Sequence, residues 1–388
     1  MTIPSSSEET IAAISTPPGP GAIGMVRITG PNAQLVGQKI FTPAYDVSGP
    51  LPNRKAVFGR VHPPEQPAGI IDLAVLCFFE GPRTYTGEDT VEITAHGGPL
   101  IMRAILNAAV DGGSRLAEPG EFTRRAFLNG RMDLSQAEAV ASLIFASTEE
   151  ARVVMLRQVE GAMGDEVWEM RNRLLDIKVY LEAQIDFPED VEEELSVHLS
   201  DSVSEVVGIV DRLLGTARKG IALGEGFRVV IAGAPNVGKS CLLNTLLEEK
   251  RAIVHEMAGT TRDYVEGLIN IQGIPVKVVD TAGIRGTADT VEDEGVRRTR
   301  ELIRSADVII ILLDITRPLQ PDEEKLLDET LMLKRVVAIN KTDLASSPEF
   351  RFPEGGVRIS ALQGTGIEAL KKSIHEIYME SPADLNLE

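Results

Sequence analysis

The chain has 388 residues, a formal net charge of −19 and an ordinary apolar content. That length suggests two or three domains, and that charge argues against a general electrostatic grip on nucleic acid, which needs clustered Lys and Arg; a local basic patch stays compatible with RNA. The longest apolar runs, such as Val308 to Leu313, are too short to span a bilayer, and MTIPSSSEET lacks the basic start and apolar core of a secretory leader. Cys77 and Cys241 are too few for a disulfide framework or a metal cluster and read as buried, reduced residues of a cytoplasmic protein.

To about residue 120 the chain reads as short strands broken by Gly and Pro. TIAAIST and MVRITG are strands, separated by PPGPGAIG, a loop that cannot be helical. AVFGRV, IIDLAVLCFF and DTVEITAHGG follow as strands, and Ile101 to Val110 as a helix. This is an α+β domain with its own core. From about Leu134 to Ile185 Gly is rare and Pro absent. Leu156, Val159, Met163, Val167, Met170, Leu174, Ile177, Leu181 and Ile185 recur in steps of three or four, predicting one stripe of a long helix that ends at Pro188 and belongs to a helical bundle or hairpin. A second helix is predicted over Val203 to Lys219.

At Gly226 a new domain opens. FRVVIAG is a buried strand, GAPNVGKS a loop, and CLLNTLL the start of a helix. INIQGIPVKVVD holds two strands with a turn at Gln272-Gly273. DVIIILLDIT, RVVAINKTD and GVRISA are further strands, alternating with helical segments as in a mostly parallel α/β sheet.

Gly233 to Ser240 fits the phosphate-loop pattern in its proper strand-to-helix setting. Asn236, Val237, Gly238 and Cys241 belong to this cradle; Lys239 reaches the β- and γ-phosphates, and Ser240 ligates Mg²⁺. AGTTRD supplies a switch threonine for the metal, assigned to Thr261. Asp280, Thr281, Ala282 and Gly283 form the γ-phosphate motif. Asn340, Lys341 and Asp343 follow a buried strand, and the Asp343 carboxylate can accept from both guanine N1–H and the 2-amino group, selecting GTP over ATP. Ser360 and Ala361 fit the last base-contacting loop. Together these predict a GTP-binding, GTP-hydrolysing domain.

Many GTPases carry a glutamine after DTAG that orients the attacking water. Here the position is Ile284, which can neither donate nor accept. The residues leave three replacements open. A K⁺ held by the Asn236 carboxamide would supply the positive charge of an arginine finger. Glu292 would orient water, although an acid in DTVEDEG also reads as simply solvated. Arg285 would act as a finger.

The whole chain to about Tyr378 resembles the tRNA-modification GTPases of the MnmE (TrmE) family. The resemblance rests on TPPGPGAIGMVRITG, TYTGEDTVEITAHGGP, RLAEPGEFTRRAFLNGRMDLSQAEAV and YLEAQIDFPED, in order, before the GTPase motifs. It implies a multidomain fold: an α+β folate-binding N-terminal domain (1–120) that forms a homodimer, a helical domain (121–220) and an inserted Ras-like α/β P-loop GTPase domain (221–380). It implies an FAD-dependent partner, GidA (MnmG), in a heterotetramer, and modification of C5 of the wobble uridine of tRNA. The one-carbon unit would come from a tetrahydrofolate derivative, 5-formyl or 5,10-methylene. It implies K⁺-dependent hydrolysis without an arginine finger, K⁺ being ligated by Asn236, the carbonyls of His255 and Met257, and Thr260. His255 and Thr260 thereby join the GTP site, and Glu292 becomes the catalytic residue.

The same resemblance places folate contacts on Arg27, Glu92 and Arg131, the last standing where the family commonly has lysine. Family members continue through a further helical segment to a cysteine-containing motif. This chain ends at DLNLE, so the helical domain is expected to lack its C-terminal part and modification by this polypeptide alone is in question. Two other readings share part of the pattern. A ribosome-assembly or other RNA-associated GTPase switch would need an RNA-binding module, and none is visible. A folate-dependent aminomethyl-transfer enzyme with a regulatory GTPase would act without tRNA or the flavoprotein.

Overall fold

A computed structural model describes residues 9–45, 49–186, 194–248, 265–280 and 301–380. They fall into two compact units, Met1–Glu138 and Ala139–Glu388. In the first, a seven-stranded sheet runs β3-β4-β5-β6-β2-β1-β7. Its strands are β1 (Ile11–Ile14), β2 (Gly24–Thr29), β3 (Phe41–Pro43), β4 (Ala56–Val61), β5 (Asp72–Phe79), β6 (Thr90–Ala95) and β7 (Arg115–Leu116). All pairings are antiparallel except β1 with β7. In β4 every second residue is buried, as expected of a sheet covered on one face. The covering helices are α1 (Ala33–Ile40) and α2 (Pro99–Asp111), whose Val36, Ile40, Met102 and Ile105 join Val26, Ile28, Leu76 and Ile93 in one core. All the strands and the helix expected in this stretch are present.

Helix α3 (Glu121–Leu128) is fastened to this sheet by charge. Arg125 is 1% exposed; its guanidinium donates to the Glu9 carbonyl (2.8 Å), to Glu88 (3.0 Å) and to Glu121 (3.1 Å). Arg115 grips the same Glu121 through two nitrogens, at 2.8 and 3.0 Å, and the Glu118 N–H adds a third donor at 2.8 Å. Arg125 Nε is buried without a hydrogen-bond partner among the described residues, a cost the other bonds of the network offset.

The second unit holds helices α5 (Glu149–Val159), α6 (Ala162–Asp186) and α7 (Glu194–Glu225), after α4 (Leu134–Ile144). The single long helix predicted here is two. Gly161 adopts φ 102° between α5 and α6, a left-handed stop that glycine takes without strain. Helix α6 is described to Asp186, while Pro188, where the sequence ends it, lies outside the described residues; α7 is longer at both ends than predicted. It packs along α6 with ion pairs from Arg173 to Glu205 and from Arg212 to Glu166. Much of the predicted stripe faces solvent: Val167, Leu174, Leu181 and Ile185 are exposed, as is Trp168.

Beside these helices lies a six-stranded sheet in the order β13-β12-β11-β8-β10-β9. Its strands are β8 (Phe227–Ala232), β9 (Val265–Ile271), β10 (Ile274–Asp280), β11 (Val308–Asp314), β12 (Arg335–Asn340) and β13 (Val357–Arg358). Only β9 is antiparallel, joined to β10 by a tight turn in which Gln272 and Gly273 both have positive φ. The turn sits against α5, and a Cβ on Gly273 would come 2.4 Å from the Glu150 carboxyl. All seven residues of β11 are buried, alternately serving two cores, Val308, Ile310 and Leu312 on one face and Ile309, Ile311 and Leu313 on the other. Such a run, apolar on both faces, marks a central parallel strand. Helices α8 (Lys239–Glu248), α9 (Pro321–Glu329) and α10 (Ile367–Glu380) complete the layers. Cys77 and Cys241 are half-buried rather than buried: Cys77 lies on the β5 face that also carries exposed Leu73 and Val75, and Cys241 packs against the core from the first turn of α8.

The Glu121 network makes the first unit acid-sensitive. Hydrogen bonds from Arg115 lead, burial opposes them, and Glu118 N–H and Arg125 add, so the carboxyl falls from 4.5 to about 2. A depressed folded-state value means stabilisation present above the unfolded value and lost as pH falls from about 4.5 through about 2. The loss is at most about 3 kcal/mol. Chemical unfolding of wild type at pH 5 and pH 2.5 should show it, and Glu121→Gln should be weaker at pH 5 but much flatter across that interval.

Candidate functional site

The parallel strands of the second sheet bring their C-terminal ends to one edge, where ligand loops of open α/β sheets gather. The loop after β8 curls through three left-handed residues, Gly233 (φ 155°), Asn236 (φ 64°) and Gly238 (φ 103°). Asparagine tolerates this region better than other side-chain-bearing residues. The glycines are obligatory for space as well: a Cβ on Gly233 would lie 2.5 Å from the Leu312 carbonyl, and one on Gly238 would lie 2.4 Å from Asn340 Nδ2. Lys239, 8% exposed, donates to the carbonyls of Gly233 (2.9 Å) and Ala234 (2.8 Å), which holds its ammonium inside the curl. The curl and the N-terminus of α8 present backbone N–H groups, the donors that phosphate needs.

Ser240 Oγ donates to Asp280 Oδ2 at 2.8 Å. Asp280 ends β10, whose register sets it against Ile231 of β8, so strand pairing delivers the carboxylate to the hydroxyl. A hydroxyl and a carboxylate, both hard oxygen donors, fit Mg²⁺.

The residues that the sequence assigns to the base side are cross-linked one by one. Asn340, 3% exposed, donates through Nδ2 to the Val237 carbonyl at 2.8 Å and accepts at Oδ1 from Ala361 N–H at 2.9 Å. One amide thus joins the phosphate loop to the last loop. Asp343 Oδ1 accepts from Ser360 Oγ at 2.6 Å, which fixes the rotation of the carboxylate expected to read guanine. The Ala361 carbonyl accepts from Thr245 Oγ1 of α8 at 2.6 Å. Lys341, at φ 64°, donates Nζ to Asp314 Oδ2 at 2.6 Å. Burial pushes the Asp314 carboxyl up, but hydrogen bonds from Lys341 and Thr316 outweigh it and hold the carboxyl below its ordinary range.

The structure therefore brings together Asn236, Val237, Gly238, Lys239, Ser240, Cys241, Asp280, Asn340, Lys341, Asp343, Ser360 and Ala361 at one sheet edge. His255, Met257, Thr260, Thr261, Thr281, Ala282, Gly283, Ile284, Arg285 and Glu292 lie outside the described residues. Sequence reasoning missed Asp314 and Thr245. The available signal for Asp314 was an acid ending an apolar strand, LLD, opposite Asn340 in the ladder.

In the first unit, Arg27 and Glu92 are direct ladder partners and bond at 2.8 Å. The Arg27 guanidinium lies 5.9 Å from the ring centroids of both Tyr85 and Phe122. Arg131 Nε donates to the Thr84 carbonyl at 3.1 Å, one residue from Tyr85. Neither ring stood out in the sequence, because only the fold carries loop and helix over β2.

Two family models match the chain: GTP-binding protein TrmE N-terminus over residues 10–131, and MnmE helical domain over residues 134–386. The tRNA modification GTPase MnmE of Streptococcus pneumoniae (strain Hungary19A-6) is 41% identical over 376 residues, covering 96% of this chain and 82% of that protein. The protein of the same description from Enterococcus faecalis (strain ATCC 700802 / V583) is 41% identical over 378 residues, 95% of this chain and 81% of the other. Among solved structures, the cytosolic domain of the T. maritima FeoB iron transporter is 28% identical with a TM-score of 0.32, covering 40% of this chain and 64% of that one. Among the described residues, no helix is long and apolar enough to cross a membrane.

A single methyl tests the loop. Gly238→Ala forces a left-handed alanine onto the Asn340 amide and should weaken GDP binding by at least about tenfold while the far-UV circular dichroism stays that of the wild type. Calorimetric titration of GDP would measure it.

Proposed function

Because the chain belongs to the MnmE family of tRNA modification GTPases, we propose that it hydrolyses GTP with K⁺ and Glu292 in place of a glutamine and an arginine finger. GTP is its nucleotide and Mg²⁺ the accompanying cation, as in every GTPase of this kind. The observation that carries the nucleotide reading is the buried Asn340 amide bridging Val237 and Ala361, because it aligns phosphate loop and base loop as one surface. Lys239 would neutralise the β- and γ-phosphates, Ser240 and Thr261 would hold Mg²⁺, and Asp280 would orient the metal's shell through its bond to Ser240. Asn236, with His255, Met257 and Thr260, would hold K⁺, which supplies positive charge where the leaving phosphate gains negative charge. Glu292 would orient the attacking water. Thr281, Ala282 and Gly283 would face the γ-phosphate, and Asp343, with Lys341, Ser360 and Ala361, would hold guanine.

In the cell, by this reading, hydrolysis serves modification of C5 of the tRNA wobble uridine in the cytoplasm, together with an FAD-dependent partner of the GidA (MnmG) type. The chain would form a homodimer through its N-terminal domain, residues 1–120, with residues 121–220 helical and 221–380 the GTPase domain. A 5-formyl- or 5,10-methylene-tetrahydrofolate would bind at Arg27, Glu92 and Arg131. The direct Arg27–Glu92 pair beside two aromatic rings supports that site, since a fixed carboxylate suits pterin N–H donors and rings suit a flat heterocycle.

GTP turnover in K⁺ against Na⁺ at equal ionic strength tests the first part. K⁺ should stimulate by at least about tenfold, and Glu292→Ala should abolish most of that rate. Equal rates in the two salts would remove K⁺ and return attention to Arg285. For the second part, Glu92→Gln should weaken binding of 5-formyl-tetrahydrofolate by about tenfold or more, read by equilibrium dialysis. Unchanged binding would take Glu92 out of the pocket.

A further inference from the structure

We propose that Asp314 is a positioning residue for guanine nucleotide binding: it anchors the Lys341 ammonium before nucleotide arrives, so that the side chain stands ready as one wall of the base pocket. Three observations carry this. First, the carboxylate is 6% exposed and both of its oxygens are used, Oδ2 by Lys341 Nζ at 2.6 Å and Oδ1 by Thr316 N–H at 2.9 Å and Thr316 Oγ1 at 2.7 Å. Its rotation is therefore fixed from one side by Thr316 and offered to lysine on the other. Secondly, the nearby cation Arg317 is committed elsewhere, donating to both oxygens of Glu323 at 2.8 Å. Lys341 thus keeps its own anchor. Thirdly, Asp314 and Asn340 are register partners at the ends of β11 and β12, so the residue after Asn340 is delivered beside the carboxylate by the ladder itself.

Lysine is among the side chains that lose most rotamer freedom on being ordered. An anchored lysine has already lost it, which favours binding of whatever its stem packs against. The neighbours of Lys341 in the motif are tied in the same manner, Asn340 to Val237 and Ala361, and Asp343 to Ser360. Asp314 supplies the third tie. The inference requires Lys341 to be a nucleotide contact, and the experiment separates that premise from the role of Asp314.

The 388-residue chain is titrated with fluorescent GDP and assayed for GTP turnover as wild type, Asp314→Asn, Lys341→Gln and the double variant. Asp314→Asn should raise the Kd for GDP and the KM for GTP together, by about threefold to tenfold. Its kcat at saturating GTP should stay at the wild-type value, and the nucleotide-free protein should melt only slightly lower, because the Lys341 end of the lost ion pair is partly exposed. The double variant should bind no more weakly than Lys341→Gln, because the two residues act as a unit. Asp314→Asn binding as wild type while Lys341→Gln is weak would overturn the role of Asp314. So would additive losses, or a fall in kcat without a change in KM. Wild-type binding by Lys341→Gln would instead remove the premise, and the proposal with it. If Asp314→Asn does not fold, Thr316→Val takes its place: it deletes the hydroxyl that fixes the carboxylate and should weaken GDP binding by a smaller factor, and no change would count against the proposal.

Discussion

Everything at the nucleotide edge depends on a carboxamide with nowhere else to go. Asn340 is buried at the end of a central parallel strand, and an amide left unsatisfied there would be costly. Its donor closes on the phosphate loop and its acceptor on the last loop. This fixes the distance between the loop after β8 and the loop that holds Ala361. It also explains why Gly238 has no side chain, since the amide occupies the space a Cβ would need. Loops that look independent in sequence share one constraint.

Much of this was legible in the sequence. The strand-to-helix setting of GAPNVGKS, Asp280 and Asn340 at strand ends, and the Gln272-Gly273 turn all follow from local chemistry, and β8 and β10 to β13 lie where alternation and apolar runs placed them, while β9 starts earlier, at Val265. The N-terminal strands were legible for the same reason. What was not legible is long-range. The bonds from Asp314 to Lys341 and from Thr245 to Ala361 join residues 27 and 116 positions apart, and no local pattern encodes either. Tyr85 and Phe122 meet Arg27 only because a loop and α3 fold over the same strand. The helix break at Gly161 is the opposite kind of miss: the signal was a single glycine, and apolar spacing that continued across it carried more weight than it should have.

The two units use charge differently. In the first, Arg125 and Glu121 are buried and bind elements together, so their electrostatics are structural. In the second, Lys239, Asp280 and Asp314 are buried behind the sheet edge, while Lys341 and Asp343 sit at its rim, each restrained by a hydrogen bond and presented on one side. A buried pair of the first kind punishes loss of either partner. A restrained rim charge contributes chiefly orientation, which is what a base or phosphate contact requires.

Strand β11 has a history before it has neighbours on both sides. During synthesis Val308 to Leu313 leaves the ribosome well ahead of β12, so one edge of a six-residue, uncharged, mostly β-branched segment has no partner in its sheet. Asp307 and Asp314 bracket it, the placement by which natural chains keep such segments from associating with each other. In the finished fold neither aspartate is left over. Asp307 accepts from Arg228 N–H of β8 at 2.8 Å, and Asp314 takes Lys341. The two charges that bracket the nascent strand become, once the sheet closes, a clasp to the neighbouring strand and an anchor for the Lys341 ammonium.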